Sequence, residues 1–203
     1  YDTSDNSAAG IGEWGLMGSG NWQSQISPAY MNAWSRYRLE YIHPVILENV
    51  IDSSISFLSA EKTDSAAAYI LPMDSNIPQE YLILENRQKQ QSGADQDLLE
   101  SGLLVWHIDE TITDMYPALN AVNVNPDLYG VNLLQADGLG ELYTNCNTCA
   151  DAGDIFPFGP SSILTGSTNP NTDTYSYDRD VDGEIELGGN SNIEIKDIQN
   201  SGG

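Results

Sequence analysis

The sequence is poor in positive charge: 7 lysine and arginine residues face 30 aspartate and glutamate residues, and the formal net charge is −23. A surface of this sign repels nucleic acid and anionic membranes, so we expect neither as a partner. The sequence also lacks an apolar run of the ~18 residues that a membrane-spanning helix needs, so we expect no membrane insertion. It begins at Tyr1 without a signal-peptide pattern, and we interpret it as a processed or trimmed piece.

Cysteine is also scarce, because only Cys146 and Cys149 occur, in the segment CNTC. Two thiolates are too few for a structural zinc site built from four. A redox-active CxxC normally opens a helix after a strand, whereas the residues after Cys149 are ADAGD. The sequence therefore favours a local disulfide, and a single staple of this kind is typical of a secreted protein of bacterial type.

Apolar residues are sufficient for a core, since they make up 40% of the 203 residues. The segment SPAYMNAWSRYRLEYIHP predicts one helix over about residues 28–42, with Ser27 as its N-cap and His43-Pro44 at its end. Helical spacing places four aromatic residues on one face: Tyr30, Trp34, Tyr37 and Tyr41. We expect this stripe to face the core, with ligand stacking as the alternative.

From residue 45 onward the pattern changes to short strand-like runs separated by turn clusters. The runs are VILENVI, SISFL, AAAYILPM, EYLILENR, LLVWHID, GVNLLQAD and, last, NIEIKDI. Long acidic loops lie between several of them. We predict an α+β fold with more strand than helix. Its parts are residues 1–160 and a β-rich tail over residues 161–203, which continues the same domain or leads into the next.

The glycine-rich turn, IGEWGLMGSGNW over residues 11–22, combines four glycines with Trp14, Met17 and Trp22. Glycine permits tight turns and close backbone approach, and large apolar side chains in such a turn are expected to line a site. We interpret Met17 as the floor of an active site whose metal ligands lie outside this chain. An ordinary core methionine is the alternative.

The order of several segments resembles the secreted zinc metallopeptidases of the immune inhibitor A type. The matching stretches are YDTSDNSAAGIGEWGLMGSGNW, SPAYMNAWSRYRL, YLILENRQ, SGLLVWHIDE, VNLLQADG and DAGDIFP. In that family a helix carries the motif HExxHxxGxxD, and a Tyr-Asp pair follows it closely. Tyr1-Asp2 resembles this pair, and Met17 resembles the methionine turn beneath the zinc ligands. The resemblance implies the strand-rich C-terminal part of a metzincin-like catalytic domain.

The resemblance implies a secreted zinc endopeptidase that hydrolyses protein or peptide substrates. Zinc held by two histidines and an aspartate would polarise water and the scissile carbonyl, with a glutamate as general base. All four residues are expected upstream of Tyr1, so no catalytic residue is assigned here and we predict that the isolated chain is inactive. Neither His43 nor His107 lies in an HExxH setting. We expect His107 to be a satisfied core or edge histidine.

Two acidic clusters are candidates for calcium, which takes about six to eight oxygen ligands. The first consists of Asp137, Glu141, Asp151 and Asp154. The second lies in DRDVDGEIELGG and consists of Asp178, Asp180 and Asp182, with Glu184 or Glu186 as a further ligand. Gly189 stands where an EF-hand requires glutamate, so only a looser DxDxDG site remains. The alternative for both clusters is a solvated acidic loop, with the first one held by the CNTC disulfide.

A second functional hypothesis belongs to a different class of protein. On the same scaffold, the chain would be a non-catalytic, calcium-binding extracellular surface or adhesion module. The residues upstream of Tyr1 separate the two hypotheses, because an intact HExxHxxGxxD motif supports the enzyme and degraded ligands support the module. No feature of the sequence bears on the oligomeric state.

Overall fold

The computed structural model describes residues 8–24, 27–61, 67–74, 77–115, 121–125, 127–146, 149–159 and 161–200. Its described part centres on a mixed sheet of five strands in sequential order. The strands are Val45–Ile46 (β1), Ala68–Asp74 (β2), Ile77–Arg87 (β3), Gly102–Asp109 (β4) and Val131–Leu133 (β5). Within the same residues, the α-helices are Ala33–Arg38 (α1) and Glu110–Met115 (α2). This mixed architecture with little helix is compatible with the predicted α+β class.

The strands β2 to β5 pair antiparallel, and the short edge strand β1 pairs parallel with β2. The pairing between β3 and β4 extends from Glu80 opposite Asp109 to Arg87 opposite Gly102. Successive side chains of a strand point to opposite faces of the sheet. In β3, Tyr81, Ile83 and Glu85 therefore share one face, while Glu80, Leu82 and Leu84 share the other.

Each face of the sheet has its own apolar core. On one side, which we call the turn face, the glycine-rich turn and α1 pack on the sheet. The buried residues there include Ile11, Trp14, Trp34, Ile83, Leu104 and Trp106. On the other side, the tail face, the core includes Leu82, Leu84, Val105, Phe156 and Leu164, with Ile193, Ile195 and Ile198 of the tail packed against it. The sheet is thus covered on both sides.

The predicted helix over residues 28–42 is wrong in extent, because α1 begins at Ala33 and ends at Arg38. Asn32 is its N-cap, and the Asn32 side-chain oxygen accepts a hydrogen bond from the Ser35 backbone N–H at 3.0 Å. Ser27, the predicted cap, bonds to a distant loop instead: its hydroxyl donates to the Gly93 carbonyl. Ser and Asn are both good caps, so local sequence does not distinguish them.

The aromatic stripe faces the core only in part. Trp34 is buried, and Tyr37 packs against the turn-face core, but Tyr41 is exposed. Glu40 has a positive φ of 59°, which ends the helical path before Tyr41. The stripe was predicted from a longer helix than the one that forms.

The strand predictions are confirmed where a partner strand exists. AAAYILPM, EYLILENR and LLVWHID correspond to β2, β3 and β4, whereas VILENVI and GVNLLQAD keep only the two and three residues of β1 and β5. SISFL forms no strand, and the predicted β-rich tail forms only isolated bridges among its described residues, such as Leu164 with Ile195. The tail is rich in Gly, Asn, Asp and Pro, which favour turns over paired strands.

The helix α2 was not predicted from the sequence. It directly follows β4, and the Asp109 carboxylate caps it by accepting a hydrogen bond from the Thr111 backbone N–H at 2.9 Å. No helix among the described residues is both long and apolar enough to cross a membrane.

Candidate functional site

The glycine-rich turn lies on the turn face and contains two 3₁₀-helical turns, Gly12–Trp14 and Ser19–Trp22. Trp14 is completely buried beneath it, whereas Met17 is 53% exposed and Trp22 is 83% exposed. A Cβ atom on Gly20 would lie 2.6 Å from the Ala29 Cβ, so this close approach requires glycine. The turn therefore buries one of its large apolar side chains and presents the other two on its outer side.

The turn is held from below by a buried ionic network. We call it the turn-face network, and it consists of Arg36, Glu85, Arg87 and Asp95. Arg87 donates to the Trp14 carbonyl at 2.9 Å and forms a two-point contact with Asp95, at 2.7 and 2.5 Å. Glu85 accepts from Arg87 at 3.3 Å and from Arg36 at 3.0 Å. Burial alone would lower the pKa of Arg87, but the two neighbouring carboxylates raise it.

Asp95 belongs to a polar stretch, QKQQSGADQDLLESG, over residues 88–102. Its carboxylate is fully buried and also accepts from the Tyr30 backbone N–H at 2.7 Å. Leu98 of the same stretch is buried in the turn-face core. This loop is therefore an anchored wall beside the glycine-rich turn.

An apolar groove of about 380 Å³ lies beside the turn. Leu16, which precedes Met17 in the sequence, lines one part of it. The segment before α1 contributes Pro28, Tyr30 and Met31, the segment after α1 contributes Ile42, and the anchored loop contributes Ala94. Because the Asp95 side chain bonds to the Tyr30 backbone, the turn-face network also holds a wall of this groove.

The first acidic cluster is brought together by the structure, except for one member. Asp137, Glu141 and Asp151 each place one carboxylate oxygen within 4.8 Å of the others. Asp137 and Asp151 converge on the bare Cα of Gly153, where a Cβ would lie 2.9 Å from Asp151 Oδ1 and closer still to Asp137 Oδ2. All of the donors are oxygen atoms, which suits a hard cation such as Ca²⁺.

Asp154, the fourth predicted member, lies behind the cluster and is 1% exposed. Its Oδ2 accepts hydrogen bonds from the Trp14 indole N–H at 2.7 Å and from the Asp151 backbone N–H at 2.9 Å. Its Oδ1 is buried and has no hydrogen-bond partner among the described residues. Burial raises the pKa of Asp154 to about 7, and the charges of Asp151 and Asp137 act in the same direction.

The second acidic cluster is also brought together, with Glu186 rather than Glu184 as its fourth member. Asp178, Asp180, Asp182 and Glu186 place one carboxylate oxygen each within 4.8 Å of the others. Asp178 also accepts hydrogen bonds from the backbone N–H groups of Asp182 and Gly183, at 3.1 and 2.9 Å. These bonds are typical of a self-bonded acidic turn, with or without a cation.

A second buried network attaches this loop to the sheet. We call it the tail-face network, and it consists of Glu80, His107, Asp109 and Arg179. Arg179 contacts Asp109 at 2.6 Å and Glu80 at 2.5 Å, and His107 Nε2 lies 2.6 Å from Glu80. The His107 ring also stacks on Tyr175 at a centroid distance of 4.3 Å. His107 is thus a satisfied core histidine, as the sequence predicted, and His43 is exposed.

The remaining predicted positions are simple to place. Cys146 and Cys149 are joined as a disulfide with a Cα–Cα distance of 5.8 Å. Tyr1-Asp2 lies outside the described residues.

The sequence analysis did not predict the partners in either ionic network. The carboxylates in the apolar run EYLILENR could have indicated that such networks exist, because a buried charge requires a counter-charge.

No protein-family model, curated protein or solved structure matches this chain. The functional assignment therefore depends on the geometry of the turn and the acidic clusters. Among the described residues, the groups that could hold a metal contain only carboxylates. The described part of the chain thus presents an exposed methionine on the glycine-rich turn and two groups of carboxylates that could hold a cation.

Proposed function

We propose that this chain is part of a secreted, zinc-dependent endopeptidase of the metzincin type that hydrolyses protein substrates. It supplies the methionine turn and the scaffold. The observation that carries the proposal is the 53% exposure of Met17 on a turn whose underside is anchored by Arg87 and Asp154. A firmly held, outward-facing thioether suits an apolar floor for a metal site. The resemblance to the immune inhibitor A type supports the same proposal.

The described residues do not fit a zinc site by themselves. His107 is occupied by Glu80 and Tyr175, and no group of potential metal ligands in the described part of the chain contains a histidine or a cysteine. Structural and catalytic zinc sites in proteins use nitrogen or sulfur ligands. We therefore assign the zinc ligands to the expected upstream motif and give this chain no proton-transfer step.

The role of this chain in the proposed enzyme is to position the turn. Arg87 fixes the Trp14 carbonyl, Asp154 fixes the Trp14 indole, and Asp95 fixes the backbone of the groove wall at Tyr30. These buried, charge-assisted bonds leave the turn little freedom. The apolar groove beside the turn is open to a peptide substrate with an apolar side chain.

The natural sequence that precedes Tyr1 provides the direct test. We expect it to encode HExxHxxGxxD, and a protein that includes it should cleave casein in a chelator-sensitive manner. Met17→Ala in that protein should lower kcat/KM by about tenfold, as loss of support around a metal does, whereas Met115→Ala, at another exposed methionine, should not. A degraded motif upstream, or casein cleavage by the isolated 203-residue chain, would overturn the proposal.

We also propose that the first acidic cluster binds Ca²⁺. Asp137, Glu141 and Asp151 supply the oxygen donors that calcium prefers, and the charges of Asp137 and Asp151 act on Asp154, whose Oδ1 is buried without a partner among the described residues. A buried carboxylate oxygen without a partner is costly, and a nearby cation offsets that cost. Calcium counting by equilibrium dialysis should lose one ion per chain in Asp151→Asn. An unchanged count would overturn this assignment.

The alternative function is a calcium-binding extracellular surface or adhesion module without catalysis. One observation favours it: the loop of the second acidic cluster exposes Val181, Ile185 and Leu187. Exposed apolar side chains beside carboxylates suit a cation-dependent protein contact. Degraded zinc ligands upstream of Tyr1, together with calcium-dependent binding to a surface, would favour the module over the enzyme.

A further inference from the structure

We propose that a cation in the first acidic cluster orders the glycine-rich turn, and that Asp154 is the positioning residue that links the two. The inference rests on the calcium site proposed above and adds a regulatory role for it. Asp154 and Trp14 are 140 residues apart in the sequence, yet their side chains share a hydrogen bond of 2.7 Å.

The first step is the contact between the cluster and Asp154. The Asp151 backbone N–H donates to Asp154 Oδ2 at 2.9 Å, and the Gly153 carbonyl accepts from the Asp137 backbone N–H at 2.9 Å. The segment from Asp151 to Asp154 is therefore tied to the backbone of both residues whose carboxylates converge on Gly153. A cation bound by these carboxylates fixes the segment and, with it, the orientation of the Asp154 side chain.

The second step is the state of this loop when no cation is bound. Asp137, Glu141 and Asp151 place like charges within 4.8 Å of one another, and such charges repel at this distance. The Asp154 Oδ1 atom adds a buried acceptor without a partner. Charge repulsion and the unsatisfied oxygen both favour a looser loop, and cation binding removes the repulsion among the three carboxylates.

The third step is the contact between the loop and the turn. Besides the Asp154–Trp14 bond, the Ala9 backbone N–H donates to the Leu142 carbonyl at 3.2 Å. A Cβ on Gly12 would lie 2.7 Å from Leu142 Cδ2, so the turn backbone packs directly on the loop. Displacement of the loop therefore displaces the turn that carries Met17.

The test is hydrogen exchange of the intact 203-residue chain, measured by mass spectrometry with excess CaCl₂ and with EDTA. Calcium well above its Kd should slow exchange in the peptides that cover residues 8–24 by at least about tenfold. Asp151→Asn should abolish this protection. Asp182→Asn, a matched change in the second acidic cluster, should leave it intact.

Two further variants test the contact between Asp154 and Trp14. Trp14→Phe removes the indole N–H but keeps an aromatic ring, so it should bind calcium with unchanged stoichiometry and lose most of the protection of residues 8–24. If Trp14→Phe does not fold, Asp154→Asn tests the other half of the link, because it keeps an acceptor for the indole and removes the negative charge beside the cluster. It should weaken calcium binding by about tenfold or more.

The possible outcomes distinguish this inference from the calcium-site proposal and from the zinc peptidase proposal. Calcium binding that depends on Asp151, with no change in exchange over residues 8–24, would overturn the inference and leave the calcium site standing. Protection that persists in Trp14→Phe would also overturn it. Absence of any calcium binding would overturn both. None of these readouts uses proteolysis, so the zinc peptidase proposal is tested independently.

Discussion

The two faces of the sheet each bury an ionic network, but the networks are completed in different ways. The turn-face network pairs two arginines, Arg36 and Arg87, with two carboxylates, Glu85 and Asp95. The tail-face network depends on a single arginine, Arg179, which reaches the sheet from the tail and faces two carboxylates. The turn-face network therefore contains equal numbers of arginines and carboxylates, whereas the two carboxylates of the tail-face network depend on the tail for their single arginine.

The two acidic clusters also lie on different faces of the sheet. The first lies against the turn-face core and contacts it through Asp154, which is buried and bonded to Trp14. The second lies on the exposed tail loop, which contacts the sheet through Arg179 and through the hydrogen bond from the Tyr177 hydroxyl to Asp109. The comparison predicts that changes on the turn face act on the whole fold, while changes on the tail face act locally.

The largest effect is expected from Arg87→Met. It leaves Glu85 and Asp95 buried with reduced compensation, which typically costs about 3–5 kcal/mol in the free energy of unfolding. Urea denaturation measures the loss. Arg38→Met is the matched control, because its pairs with Glu110 and Asp114 are partly exposed and should contribute less than about 1 kcal/mol. Equal losses in both variants would contradict the distinction between buried and exposed pairs.

The next effect is expected from Arg179→Met, which leaves Glu80 and Asp109 without their shared cation. We expect a loss of about 1–3 kcal/mol, as for a buried charged group that loses a partner. Limited proteolysis should become faster within residues 161–200 and stay unchanged within residues 8–24. An equal increase in the proteolysis rate of both segments would contradict the predicted difference between the two faces.

A smaller effect is expected from removal of calcium. Calcium at 100 times its Kd stabilises the folded state by about 2.7 kcal/mol per site, so EDTA should lower the Tm. Asp151→Asn should remove most of this calcium-dependent shift, and Asp180→Asn should remove less, because its cluster lies on the exposed loop. A Tm that is identical in calcium and in EDTA would contradict the calcium proposal for the first cluster.

A still smaller effect concerns pH in the presence of EDTA. Burial raises the pKa of Asp154 from 3.8 to about 7, so the stability that its neutral form contributes is present below pH 3.8 and is lost as the pH rises through 7. Asp154→Asn stays neutral throughout, so its Tm should fall less between pH 5 and pH 8 than that of the unaltered chain. Asp127→Asn, at an exposed position, should follow the unaltered chain.

The smallest effect is expected from Met17→Ala. Because the Met17 side chain is more than half exposed, its truncation should change the free energy of unfolding by less than about 0.5 kcal/mol. Urea denaturation again provides the measurement. A loss of 2 kcal/mol or more, in the range of about 2–5 kcal/mol typical of a buried methionine, would show that the thioether belongs to the core and would count against its role as a floor.

Sequence patterns were sufficient for features that depend on neighbouring residues. The runs EYLILENR and LLVWHID predicted β3 and β4, because β-branched and aromatic residues favour strands. The DxDxDG spacing brought Asp178, Asp180 and Asp182 together, since a tight turn gathers alternate side chains. The predicted bounds of the helix were wrong at both ends. At its start, Ser27 and Asn32 are both suitable N-caps, and the Ser27 hydroxyl bonds to a distant loop instead.

The sequence by itself determined the acidic surface, the central strands, the CNTC disulfide segment and the local acidic loop, because each depends on composition or on residues a few positions apart. Only the tertiary structure decided which distant groups are the partners of the buried charged side chains: Glu85 for Arg36, Glu80 and Asp109 for Arg179, and the Trp14 indole for Asp154. A buried charge must find a partner, but many carboxylates in this chain meet that requirement equally well. The choice among them is made by the packing of segments that are far apart in sequence.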